Sequence, residues 1–214
     1  MANKKPITGV YLVTDRPLCL HHSLAEVVRL SALGGVSFVQ LREKETDSRQ
    51  FLELAKHLKN ILTPFSIPLL INDRLDICLA AGADGVHLGQ SDLPWREARR
   101  ILGNDALIGL SLETKEDYHS LIQTHPNPEL DYLAVSPVFD TSTKTNTKPA
   151  WGLTGVTWLK TQTNLPIVAI GGVNESNAEA IVEAGADSLA VVSAICSAKD
   201  PKLATENLTK KFQY

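Results

Sequence analysis

The sequence predicts an α/β protein built as a single (β/α)8 TIM barrel, and three observations carry that expectation. Short β-branched apolar runs recur about every 20 to 30 residues, an amphipathic helical pattern follows each one, and the alternation completes eight times within 214 residues. An open doubly wound sheet uses the same alternation and stands as the alternative. The chain is near the short end of the barrel size range, so residues 1–214 are expected to form one domain with few insertions.

Taken in order, the strand runs are GVYLVTD (9–15), SFVQLRE (37–43), PLLIND (68–73) and GVHLG (85–89). They continue as LIGLSL (107–112), YLAVSPV (132–138), PIVAIGG (166–172) and SLAVVSAI (188–195). Runs that stay apolar rather than alternating with polar residues suit strands covered on both faces, as a parallel sheet requires.

Helical spacing fills the intervals. Leu24, Val27 and Val28 share one helical face, as do Phe51, Leu54, Ala55, Leu58 and Leu62. Glycines mark helix ends at Gly34-Gly35, Gly82, Gly103 and Gly185. An internal echo supports repetition: AAGADGVHL (80–88) resembles EAGADSLAV (183–191), each a helix end at Ala-Gly-Ala-Asp followed by a strand. One connection is long, FDTSTKTNTKPA (139–150). Such a polar stretch is either a simple mobile loop or, after a barrel strand, a lid over a site.

Composition removes several function classes. A formal charge of −3 and a pI near 6.1 provide no global attraction to nucleic acid or to an anionic membrane. No apolar stretch is long enough to span a bilayer, and the start MANKKPITGVYLVTD lacks a secretory h-region. The three cysteines, Cys19, Cys78 and Cys196, are scattered and form no CxxC pair, which fits a reducing cytoplasm and argues against a thiolate zinc site.

In a barrel, function gathers at the C-terminal ends of the strands, and the unusual residues of this chain fall there. Gln40, Arg42 and Lys44 follow one another at alternate positions, so an extended chain points all three the same way. The third run gives Asn72-Asp73-Arg74, the fourth leads to Asp92, the fifth stops at Ser111, and the sixth leads to Thr141, Ser142, Thr143 and Lys144. The seventh ends in Gly171-Gly172 and the eighth in Val192-Ser193. Each has a plainer reading. Gln40, Arg42 and Lys44 suit a solvated strand end, Asn72, Asp73 and Asp92 suit helix caps, and the glycine pair suits a turn. His87 reads as a strand residue that packs rather than ligates.

What lifts the functional reading is convergence on one rim. Asp73 and Asp92, with no histidine or thiolate expected nearby, make an all-oxygen donor set that suits Mg²⁺ better than zinc. Arg42 and Lys44 supply charge for phosphoryl oxygens. Gly171-Gly172 with Ser193 matches the phosphate site that barrels build from their last two loops. Two anion sites follow, and so do substrates carrying a diphosphate and a monophosphate. No Ser/His/Asp set, reactive-looking cysteine or Rossmann fingerprint can be assembled, which favours charge stabilisation over a covalent nucleophile.

The motifs YLVTD, QLREK, INDR, DGVHLGQSD, IGLS, SPVFDTSTK, IVAIGGV and AVVSAI, in that order, resemble the thiamine-phosphate synthase family across nearly the whole chain. The resemblance implies an Mg²⁺-dependent transferase. It would join 4-amino-2-methyl-5-(diphosphooxymethyl)pyrimidine to 4-methyl-5-(2-phosphooxyethyl)thiazole, giving thiamine monophosphate and diphosphate. By similarity, Gln40, Arg42, Lys44, Asn72, Ser111 and Lys144 would hold the pyrimidine diphosphate, with Asp73 and Asp92 on Mg²⁺. Arg42, Lys44, Ser111 and Lys144 would carry the catalysis. Thr141, Ser142, Thr143, Gly172, Val192 and Ser193 would bind the thiazole phosphate. The expected partners are these small phosphorylated molecules, and the sequence is compatible with a homo-oligomer.

Two departures from the family pattern stand out. Ser136-Pro137 replaces the usual Gly-Pro, and Asp140 precedes Thr141, so the thiazole end is expected to be the less conventional of the two. A thiazole tautomerase of the same fold is the nearest rival, but it has no use for a diphosphate clamp. A non-catalytic phosphate-binding barrel would explain the glycine pair but not the paired carboxylates.

Overall fold

Side chains alternate across a strand, so a run that is apolar throughout serves two cores at once, one inside a barrel and one beneath its helices. The computed structural model, which describes residues 5–141 and 148–212, has this arrangement. Eight parallel strands close into one barrel in sequence order. They are β1 (Gly9–Val13), β2 (Phe38–Leu41), β3 (Leu69–Asn72), β4 (Gly85–Leu88), β5 (Leu107–Leu112), β6 (Tyr132–Val135), β7 (Ile167–Ile170) and β8 (Ser188–Val191). Closure is by β1 on β8, with Gly9 opposite Ser188 and Leu12 opposite Val191.

The helices are α1 (Leu24–Leu33), α2 (Ser48–Leu62), α3 (Leu75–Ala81), α4 (Trp95–Leu102), α5 (Lys115–Thr124), α6 (Gly152–Gln162), α7 (Ala178–Glu183), α8 (Ser193–Cys196) and α9 (Pro201–Thr209). Ser23 caps α1 by accepting from the Glu26 amide, Asp47 caps α2, and Thr114 with Asp117 forms a capping box on α5. Gly34, Gly82 and Gly103 follow α1, α3 and α4, as the sequence predicts.

Two cores result. Outward residues such as Val10, Leu12, Val39, Leu41, Ile71 and Leu88 pack against the helices. Inward residues Tyr11, Phe38, Leu70, Tyr132, Val168 and Ala190 fill the barrel. Inward positions turn polar toward the C-terminal end, at Gln40, Asn72, His87 and Ser111. Except for β5, which spans its whole run, the strands stop earlier than the apolar runs, and the last residues of those runs leave the sheet to build the mouth. The eighth run differs most, because its final residues begin α8 instead.

At the opposite rim, the Ala-Gly-Ala-Asp echo becomes a repeated clamp. Asp84, Asp131 and Asp187 each precede an even-numbered strand. Their carboxylates accept a backbone N–H at the start of the preceding odd strand, from Leu69, Ile108 and Ile167, all at 2.8 Å. Each also meets a cation from the helix before that odd strand: Lys59 at 2.5 Å, Arg99 at 2.7 Å and Lys160 at 2.8 Å. The fourth quarter has Ser37 at the equivalent place, and Lys5 donates to its carbonyl at 3.2 Å. The middle clamp is the most buried, and Arg99 also donates to the carbonyls of Gly103, Ala106 and Glu129.

Candidate active site

The mouth is built from short turns that leave the strands while still tied to them. Thr14 donates its amide to the Gln40 carbonyl at 2.9 Å and accepts the Arg42 amide on its hydroxyl at 3.1 Å, so β1 carries the loop that follows β2. Gln40, Arg42 and Lys44 all line one cavity of about 340 Å³, together with Asn72, Asp73 and Asp92. Leu41 faces the outer core, and Glu43 pairs with Arg16 at 3.1 Å. The common direction of the three polar residues is therefore the direction of the mouth.

The cations there rest on carboxylates. Lys44 Nζ lies 2.6 Å from Asp73 Oδ2, and Arg42 Nη1 lies 3.3 Å from Asp15 Oδ2. Asp73 is held at φ 62°, a left-handed conformation costly for a residue with a side chain, by its amide donating to the His87 carbonyl at 2.9 Å. Neither Asp73 nor Asn72 caps α3, whose N-cap is Arg74 without a side-chain bond. Asp92 does not cap α4 either; its Oδ2 accepts the Gly89 amide at 2.7 Å. Burial, and then the neighbouring Asp73 carboxyl, push the Asp92 carboxyl above its ordinary range. A like-charged pair in that condition is suited to share a hard divalent cation. Two oxygen ligands leave the rest of the shell to water and phosphate, which is how Mg²⁺ is commonly held. Among the described residues, no group of three or more His, Cys, Asp or Glu forms a denser metal cluster.

Ser111 lies inward on β5. Gln90 straps its carbonyl with an amide donation of 2.6 Å, and its hydroxyl is 2.8 Å from His87 Nε2. His87 packs within β4, as the sequence predicts, and also lines the cavity. It was missing from the expected site because one inward histidine on an apolar strand carries no pattern of its own. Tyr11 and Tyr132, which connect it to Gln40, were missing for the same reason.

The other half of the mouth is a second cavity of about 120 Å³ lined by Thr141, Gly172, Val192 and Ser193. Gly171 and Gly172 have φ 98° and 67°, and a Cβ on either would strike Pro137 or Phe139, so only glycine lets the loops after β6 and β7 cross this closely. Val13, Arg42, Ser136 and Ile170 line both cavities, and Ser136, the departure from the family pattern, stands at their shared wall. Ser142, Thr143 and Lys144 lie outside the described residues.

A closed barrel with two adjoining cavities at the C-terminal mouth has the architecture of a (β/α)8 enzyme for small phosphorylated substrates. The thiamine monophosphate synthase family model matches residues 10–195. The thiamine-phosphate synthase of Leptospira biflexa is 70% identical over 212 residues, covering 99% of this chain and all of that protein. The thiamine-phosphate synthase of Albidiferax ferrireducens is 50% identical over 93% of this chain and 89% of its own. Among solved structures, thiamine phosphate pyrophosphorylase from Pyrococcus furiosus superposes with a TM-score of 0.84 at 32% identity, covering 96% of each chain. The chain belongs to the thiamine monophosphate synthase family, and with it to the transferases of thiamine biosynthesis. Among the described residues, no helix is long and apolar enough to cross a membrane.

Proposed function

We propose that this chain catalyses, in the cytoplasm, the Mg²⁺-dependent condensation of 4-amino-2-methyl-5-(diphosphooxymethyl)pyrimidine with 4-methyl-5-(2-phosphooxyethyl)thiazole. The observation that carries this reading is the pair of cavities with one shared wall. The first is lined by cations and paired carboxylates, and the second by a glycine crossing and the start of α8. Two anionic substrates can occupy them with their reacting ends meeting between.

Gln40, Asn72 and Ser111 would orient the pyrimidine. Arg42 and Lys44 would exchange Asp15 and Asp73 for the oxygens of the diphosphate, joined by Lys144 from the long loop. Asp73 and Asp92 would hold Mg²⁺, which when bound neutralises charge on the departing diphosphate. The C–O bond breaks with its electron pair leaving on diphosphate, and the aminopyrimidine delocalises the positive charge left on its methylene. The thiazole nitrogen then donates its lone pair to that carbon, while Thr141 to Thr143, Gly172, Val192 and Ser193 hold its phosphate. No covalent protein intermediate is needed. None of the three cysteines lines either cavity, and burial pushes the Cys78 thiol up to about 12.

The test mixes both substrates with and without Mg²⁺ and follows thiamine phosphate and diphosphate together. Equimolar appearance of both products, abolished by EDTA, is expected. Full activity in EDTA would remove the metal from the reading, and an absence of condensation would remove the reading itself.

A further inference from the structure

The interior of the barrel carries a continuous line of hydrogen bonds from one side of the mouth to the other. Gln40 Nε2 donates to Tyr11 Oη at 3.0 Å, and Tyr11 Oη lies 2.9 Å from Tyr132 Oη. Tyr132 Oη lies 2.9 Å from His87 Nδ1, and His87 Nε2 lies 2.8 Å from Ser111 Oγ. Tyr11 and Tyr132 are 1% and 0% exposed, and Gln40 only 3%. Bulk water therefore does not set the direction of these bonds.

With Gln40 Nε2 donating to Tyr11, one arrangement gives each buried phenol proton an acceptor. The Gln40 amide nitrogen donates to Tyr11, and the acceptor within reach of the Tyr11 proton is then Tyr132 Oη. Tyr132, accepting from Tyr11, sends its own proton to His87 Nδ1. In this arrangement Nδ1 accepts, the imidazole proton sits on Nε2, and Nε2 donates to Ser111. Ser111 is left with its hydroxyl proton unspent and directed to the cavity. Burial pushes the Tyr11 hydroxyl up to about 12 and the Tyr132 hydroxyl well above the ordinary range, so both phenols keep their protons near neutral pH.

The sequence makes room for this line. A Cβ on Gly109 would lie 2.0 Å from Tyr132 Cζ, so glycine in the β5 strand is what admits the phenol. The Tyr132 ring also stacks on His87 at an interplanar angle of 16°, which fixes the plane of the imidazole.

We propose that Tyr11, Tyr132 and His87 are positioning residues whose one-way hydrogen-bond line makes Ser111 an obligatory hydrogen-bond donor to the pyrimidine ring. The consequence is specific for substrate recognition. Ser111 would select a ring nitrogen, which accepts, over the exocyclic amino group, which donates. The part concerning substrate rests on the condensation proposed above, whereas the proton arrangement does not.

Two measurements test it. Nitrogen-15 NMR of histidine-labelled, ligand-free protein should show the His87 ring proton on Nε2 and none on Nδ1. The opposite tautomer would overturn the proposal whether or not the chain condenses the two substrates. In steady-state assays, Tyr132→Phe should lower kcat by about tenfold, the cost of one lost polar contact, with the KM for the thiazole phosphate changed by less than about twofold. His87→Gln, which keeps a donor toward Ser111, should retain more kcat than His87→Asn. In a Ser111→Ala background, Tyr132→Phe should have no further effect on kcat. An equal loss in both backgrounds would mean that Tyr132 acts through packing alone, and the proposal would fail. Circular dichroism and thermal midpoints of each variant establish that the folded protein is being assayed. A wild-type chain with the expected tautomer but no condensation would overturn the function and leave the proton line standing.

Discussion

The two rims of the barrel use the same chemistry, carboxylates set against lysine and arginine, toward opposite ends. At the N-terminal rim, Asp131 receives the Ile108 amide and the Arg99 guanidinium, with the two side chains only 13% and 8% exposed. Arg99 also donates to three backbone carbonyls through Nε and Nη1. At the C-terminal rim, Lys44 has one carboxylate partner in a pair 53% and 23% exposed, and Asp73 is held in a left-handed backbone conformation. The first arrangement ties secondary structure together, with carboxylate and guanidinium both bound to the backbone. The second leaves cations and carboxylates partly hydrated and beside cavities, so a ligand can replace the internal partner. Burial and backbone donors, rather than the residue types, separate a structural ion pair from one that can exchange.

Breaking the most buried clamp should have the largest effect. Asp131→Ala is expected to lower unfolding free energy by about 3–5 kcal/mol, because Arg99 is left buried without its counterion. Urea unfolding checks this, and turnover per folded molecule at 25 °C should stay close to the parent. At the mouth the pattern should invert. Lys44→Ala is expected to lower kcat by about 10²-fold, the order found when one charge-stabilising group is removed. Its stability should stay within about 1 kcal/mol of the parent, as for exposed ion pairs. The same urea experiment beside a kinetic assay tests both halves.

Asp92 sharpens the comparison most finely. Its carboxyl is pushed above the ordinary 3.8 by burial and by Asp73. The folded state thus holds a proton that the unfolded chain releases, and this group's contribution to stability is lost as pH rises through its folded pKa. Asp92→Asn should therefore have a thermal midpoint at or above the parent at pH 7, with the gain shrinking as pH falls toward 3.8. Its activity should fall with the loss of the metal ligand. A midpoint that drops equally at all pH values would show that the Asp92 carboxylate is structural, like those at the other rim.

Much of this was legible in the chain before folding. The apolar runs and their spacing determine a parallel sheet covered on both faces and point to a barrel, and closure of β1 on β8 selects the barrel over an open sheet. The residues just beyond each run, Gln40 through Lys44, Asn72-Asp73, Asp92 and Gly171-Gly172, locate the mouth, because the chain leaves the sheet there. Asp84 and Asp187 could be seen to repeat, but not what they hold. Asp131 lacked the Ala-Gly-Ala frame and was not recognised as the third member.

The sequence by itself determined the β/α alternation, the rim that carries chemistry and the charged residues available to it, because those follow from local periodicity and side-chain type. Only the tertiary structure decided which carboxylates are locked and which can exchange, since that depends on burial and backbone donors brought from distant strands. It alone also joined Gln40 to Ser111 through Tyr11, Tyr132 and His87, five residues from five strands whose hydroxyls and ring nitrogens meet only when the barrel closes.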